Sequence, residues 1–233
     1  MNTVNRARFV GPFFLTVAAM LVSVPAFAQV DLSGEWSVRS HEDPGQPPLG
    51  DYLGIPFNDA GRLRAETTAE SIWGTPEYQC RPHSAPHVWR GVGGARIIKE
   101  IDPYTRAIAA YHVQHWRSLD RIIYMDGRPH PPAWAPHTWT GFSTGKWVGN
   151  TLVVTTTHLK DGYLKRSGPQ TSDMYTMTEH ISRYGNYLTT FMIVDDPIYL
   201  DQALTPCFTK GGHSLGRRSA FPLNLDDLPY LHP

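Results

Sequence analysis

Apolar and β-branched runs of five to ten residues alternate with turn dipeptides along most of this chain, a spacing that predicts strands joined in a meander. The runs are Val30 to Val38, Ala95 to Ile101, Arg106 to Trp116, Arg121 to Met125, Ser143 to Trp147, Thr151 to His158, Met174 to Tyr184 and Tyr187 to Val194. Gly149-Asn150 and Gly185-Asn186 separate neighbouring runs by two residues that tolerate positive φ, which marks β-hairpins, and Asp126-Gly127 is a turn signal of the same kind. About eight strands are enough to close a barrel that can hold one small ligand. The expected fold is therefore all-β, an antiparallel and lipocalin-like barrel, with an open sandwich as the alternative.

One helix interrupts the pattern. Asn58 can cap it, Asp59 sits in its first turn, and Ala60, Leu63, Thr67 and Ile72 recur at near-helical spacing until Gly74 and Pro76. It is expected outside the barrel or across one mouth. Glu77 to Gly94 reads as a loop rich in Pro, His and Gly, and Gly211 to Pro233 as an irregular wrap.

The first 28 residues differ from the rest. A basic stretch with Arg6 and Arg8, an apolar run from Phe13 to Val24 and a Pro25-Ala26-Phe27-Ala28 exit make a signal peptide, with cleavage expected before Gln29. The apolar run is shorter than the roughly 20 residues a spanning helix needs, so no membrane anchor is expected. Residues 29–233 are then one domain in the periplasm or outside the cell. The leader carries two Arg and no acid, which leaves 19 Lys plus Arg against 21 Asp plus Glu. That balance removes the electrostatic case for nucleic acid. Cys80 and Cys207 are the only cysteines, and in an oxidising compartment a disulfide between them is expected.

Eleven His, seven Trp and eleven Tyr suit an aromatic-lined small-molecule site, or simply an aromatic-rich β core. Asp126, Arg128 and His130 bring a carboxylate, a guanidinium and an imidazole into one turn segment, the best acid–base candidate in the chain. The competing reading is a structural turn in which Asp126 bonds backbone amides and pairs with Arg128. His112 and His115 alternate on one strand, so they face opposite sides and cannot share a metal; one of them should point inward. The candidate catalytic set is Asp126, His130 and His112, and the candidate ligand contacts are Trp36, His115, Trp116, Arg128 and Tyr124. His83 and His87 lie in a Pro-interrupted loop without helical i, i+4 geometry, so no metal site is expected. Gly141 to Gly145 spells G-x-S-x-G but leads into a strand, which makes Ser143 a poor nucleophile. With neither a P-loop nor a dinucleotide fingerprint, no cofactor is expected.

Asp31-Leu32-Ser33-Gly34-Glu35-Trp36, Cys80-Arg81-Pro82 with Pro86, Ile123 to Pro131, Gly141 to Val154 and Asp196-Pro197 resemble a large group of exported bacterial proteins of unassigned function. The resemblance implies compartment and fold and no particular reaction. The chain departs from that group's pattern where Phe142 replaces a His and where Val148, Asn150 and Thr155 stand in place of acids. Gly34-x-Trp36 on the first strand also resembles the G-x-W signature of lipocalins, which implies a ligand-binding barrel. Three functions follow as expectations: a barrel that binds a small apolar or aromatic molecule inside, a cofactor-independent lyase, isomerase or hydrolase using His and Asp in the same cavity, or an envelope interaction module.

Overall fold

The computed structural model describes residues 30–38, 52, 54–67, 82–90, 94–115, 120–164, 168–205 and 207–213. The chain divides into two compact units, Met1–Val30 and Asp31–Pro233, and the described elements lie in the second. Among the described residues there are eleven strands and two helices: β1 (Gly34–Val38), α1 (Asp59–Thr67), α2 (His87–Arg90), β2 (Ala95–Ile101), β3 (Ile108–His115), β4 (Arg121–Tyr124), β5 (Phe142–Val148), β6 (Thr151–Thr157), β7 (Gly162–Tyr163), β8 (Gln170–Thr171), β9 (Thr176–Tyr184), β10 (Tyr187–Asp195) and β11 (Cys207–His213). Nine of the strands close into a barrel in the order β1-β11-β10-β9-β6-β5-β4-β3-β2, and β7 pairs with β8 apart from it.

Each of the eight expected strands is present. Both two-residue hairpins form: Val148 pairs with Thr151 and Tyr184 with Tyr187. Gly149 and Gly185 carry the positive φ of +59° and +56°, while their Asn partners do not, the pattern of a type II′ turn. The strands alternate as half-buried strands should. On β10, for example, Leu188, Thr190, Met192 and Val194 are buried and the residues between them are not. Trp36, Ile97, Tyr111, Val113, Ile123, Leu152, Val154, Met177 and Ile181 complete most of the inner face.

The antiparallel expectation needs one correction. Strands β4 and β5 run parallel, with Ile123 opposite Ser143 and Tyr124 opposite Thr144. Asp126-Gly127 turns the chain, but Pro129, Pro131 and Pro132 follow at once, and proline cannot donate to a ladder. The chain instead crosses the outer wall and re-enters alongside β4 in the same direction.

Three further differences concern element boundaries. The strand β11 extends into the stretch expected to be irregular, as far as His213, and it completes the barrel by pairing with both β1 and β10. The short α2 lies within the expected Glu77–Gly94 loop, and β7 and β8 lie in the excursion between β6 and β9. The helix α1 is capped as expected, since the Asn58 side-chain oxygen accepts from the Gly61 N–H at 2.9 Å. Its expected continuation to Ile72 lies outside the described residues. It packs through Ala65 on a cluster of Tyr52, Ile55, Phe57 and Leu200. Among the described residues no helix is long and apolar enough to cross a membrane.

Candidate functional site

The barrel interior is not a uniform hydrocarbon core. Arg121 on β4 and Glu179 on β9 occupy inward positions, both fully buried, and form an ion pair across the interior. Both guanidinium Nη atoms donate to the Glu179 carboxylate. Its Nε donates to Ser143 Oγ at 3.0 Å, and Nη2 also donates to Thr156 Oγ1 at 2.7 Å. Glu179 accepts in addition from the indole N–H of Trp89 on α2. One network thus ties β4, β5, β6, β9 and α2 together. Each charge has a bidentate partner and satisfied flanks, the condition under which a buried pair is tolerated. The pair's hydrogen-bonding capacity is directed at its own partners in the barrel wall.

A second cluster lies on the outer wall, where the 125–141 crossover passes over β5 and β6. The His158 Nε2–H donates to the Pro132 carbonyl at 2.9 Å, an atom that can only accept, so with both imidazoles neutral every direction along the chain of bonds follows. Thr157 Oγ1 donates to His158 Nδ1 at 2.8 Å and accepts from His130 Nδ1–H at 2.8 Å; Thr144 Oγ1 donates to His130 Nε2 at 2.8 Å. Both His130 nitrogens are used to pin the crossover. The His130 ring lies 5.3 Å from Phe142, which packs 5.3 Å from Tyr124, and the Arg128 guanidinium stacks over Tyr124 at 3.8 Å. Asp126 accepts from the Arg128 backbone N–H at 3.2 Å and from its guanidinium, which holds the carboxyl below the usual carboxylate range.

The candidate residues are therefore divided. Asp126, Arg128, Tyr124 and His130 share the outer crossover cluster. On β3, His115 points inward and is buried, whereas His112 faces out and sits 3.1 Å from both Glu100 and Asp120. His112 is opposite Ile122 in the ladder, four residues before Asp126, a separation of roughly 13 Å along an extended strand. Trp36 is buried inside, its indole N–H donating to the Leu32 carbonyl at 3.1 Å with Arg183 over its ring at 5.3 Å. Trp116 lies outside the described residues, as does Cys80. Ser143, on a strand as expected, is a hydrogen-bond acceptor for Arg121.

No family model, curated protein or solved structure matches this chain. Sequence reasoning did not single out Arg121, Glu179, Trp89 or Thr156. The available signal was phase: Glu179 falls between Met177 and Ile181 on the buried face of β9, and Arg121 shares a face with Ile123. A charge at an apolar phase requires a partner. Among the described residues, no group of three His, Cys, Asp or Glu is placed to hold a metal ion.

Two of the outer histidines, His130 and His112, give opposite pH signatures. Burial and the neighbouring His158 lower the His130 pKa from its ordinary value. As pH falls, the unfolded chain therefore takes up this proton before the folded protein does. The His130 contribution is complete above about 6.5 and is lost as pH drops through the lowered folded value. Hydrogen bonds to Glu100 and Asp120 raise the His112 pKa, so its contribution is present below about 6.5 and is lost as pH rises through the raised value. Urea midpoints across pH 5 to 8 should show His130→Gln flattening the acid-side loss and His112→Gln the alkaline-side loss. The same slope change from both variants would contradict these networks.

Proposed function

We propose that this protein is an exported β-barrel that binds a small, largely apolar or aromatic molecule inside the barrel. The observation that supports a binder over an enzyme is the closed inner face. Its fully buried ion pair, Arg121–Glu179, is matched to itself and to Trp89, while the acid–base candidates Asp126 and His130 are bonded into the outer wall. Beside the buried polar His115, Thr190 and Lys210, the inner face offers aromatic and aliphatic surface from Trp36, Tyr111, Ile97, Ile123 and Leu152, the usual lining of a small-molecule site.

The export reading rests on the leader, and the second compact unit begins at Asp31, close to the expected cleavage before Gln29. The Cys80–Cys207 disulfide belongs to the same reading; an intact mass of the secreted product, taken without reductant, checks both. Binding is tested by titrating the secreted protein with N-phenyl-1-naphthylamine and following its fluorescence. One saturable site per folded chain is expected, absent from the urea-unfolded protein. A linear, unsaturable signal would overturn the reading.

A further inference from the structure

Tyr111 is 1% exposed on the inward face of β3, and its hydroxyl has no hydrogen-bond partner. It stands opposite Lys99 on β2 and Ile123 on β4. Trp147, in the same inward phase of β5 as Ser143 and opposite Leu152, carries an indole N–H that is likewise shielded from solvent without a partner. Buried polar groups are almost always satisfied, so each such orphan calls for an explanation. An indole N–H can only donate, and a phenol donates readily to an oxygen acceptor.

We infer that the molecule bound inside the barrel carries a neutral oxygen acceptor, a ketone or ester carbonyl or an ether, which receives the Tyr111 hydroxyl proton in a hydrogen bond. This deepens the interior-binding reading and rests on it. The neighbours of Tyr111 on the inner face are Ile97, Val113 and Ile123, which suit a hydrocarbon body around the acceptor. A carboxylate ligand fits poorly. Burial, and then the Asp31 carboxylate that is bonded to Lys99 at 2.8 Å, push the Tyr111 hydroxyl's pKa well up. The hydroxyl therefore stays protonated as a donor, and a second anion beside it would be repelled. Lys210, the other buried cation among the described residues, stands on β11, with β1 and β2 between it and β3. Arg121 is already matched by Glu179.

The test compares three probes by isothermal titration calorimetry on the full secreted chain. Benzophenone carries two rings and a carbonyl, diphenylmethane the same rings without oxygen, and 4-benzoylbenzoate adds a charge. Benzophenone should bind about 10-fold tighter than diphenylmethane, the ratio expected when one buried donor gains an acceptor, and 4-benzoylbenzoate should bind more weakly than benzophenone. Tyr111→Phe should erase the carbonyl preference, retain diphenylmethane binding, and leave the urea midpoint of the free protein unchanged or higher, because no bond is lost. A wild type that binds benzophenone and diphenylmethane equally would overturn the acceptor inference while the interior-binding reading stands. Failure of all three probes would remove both. A Tyr111→Phe protein with a lowered midpoint would show that the hydroxyl has a partner in the chain, which also overturns the inference.

Discussion

Glu179→Ala is expected to lower the unfolding free energy by about 3–5 kcal/mol, the cost of stranding a buried charge. The variant leaves the Arg121 guanidinium in the barrel with only Ser143 and Thr156 as acceptors, and it removes the acceptor of the Trp89 indole. Arg121→Met should cost a similar amount by stranding the carboxylate instead. The pair replaced together, Arg121→Met with Glu179→Leu, should recover most of the loss, because neither charge is then desolvated alone. Urea unfolding of the two single variants and the double variant closes the cycle. If either single variant lies within about 1 kcal/mol of wild type, the charge it strands has access to water and the interior is more open than the bonds imply.

The strands were legible because the features that make them are local. Val, Ile and Thr alternate with polar residues, and Gly149-Asn150 and Gly185-Asn186 allow the tight turns. The closing strand was not legible. Cys207–His213 contains Lys210, Gly211 and Gly212, which supply neither alternation nor β propensity. Its place is secured by backbone bonds to β10 and to β1, and β1 lies at the other end of the barrel sequence. The parallel β4–β5 step shows the same limit, since Asp126-Gly127 is a hairpin signal on its own and only the prolines after it redirect the chain.

The site divides along the same line. Which side chains are reactive could be read from composition and spacing, but which side of the wall they occupy could not. The phase of His112 against His115 was readable, because a strand alternates. Arg121 and Glu179 are 58 residues apart, and no local pattern announces that they meet. His130 attracted attention as an imidazole beside a carboxylate; in the fold it is a two-ended clamp between Thr144 and Thr157.

A second large effect is expected at Asp196, which follows β10 and is fully buried. Its Oδ1 accepts from the Ser172 hydroxyl at 2.7 Å, the Ile198 N–H at 3.0 Å and the Tyr199 N–H at 3.3 Å; its Oδ2 accepts from the Ser172 N–H at 2.6 Å. Asp196→Ala strands four donors and should cost on the order of 3–5 kcal/mol, with each unmet buried group contributing about 1–3 and some relaxation between them. Asp196→Asn keeps the three bonds to Oδ1 but turns an amide N–H₂ toward the Ser172 N–H, so a smaller loss of about 1–3 kcal/mol is expected. The effect should also have a direction in space. The Leu200 N–H donates to the Asp196 carbonyl, and Leu200 packs in the cluster that holds α1 through Ala65. Amide exchange should therefore accelerate across Asp59–Thr67 in Asp196→Ala, before the barrel strands open. Glu179→Ala should show the reverse order. Equal acceleration of α1 and β9 in both variants would mean that the two networks stabilise a single cooperative unit, and the local account of Asp196 would fail.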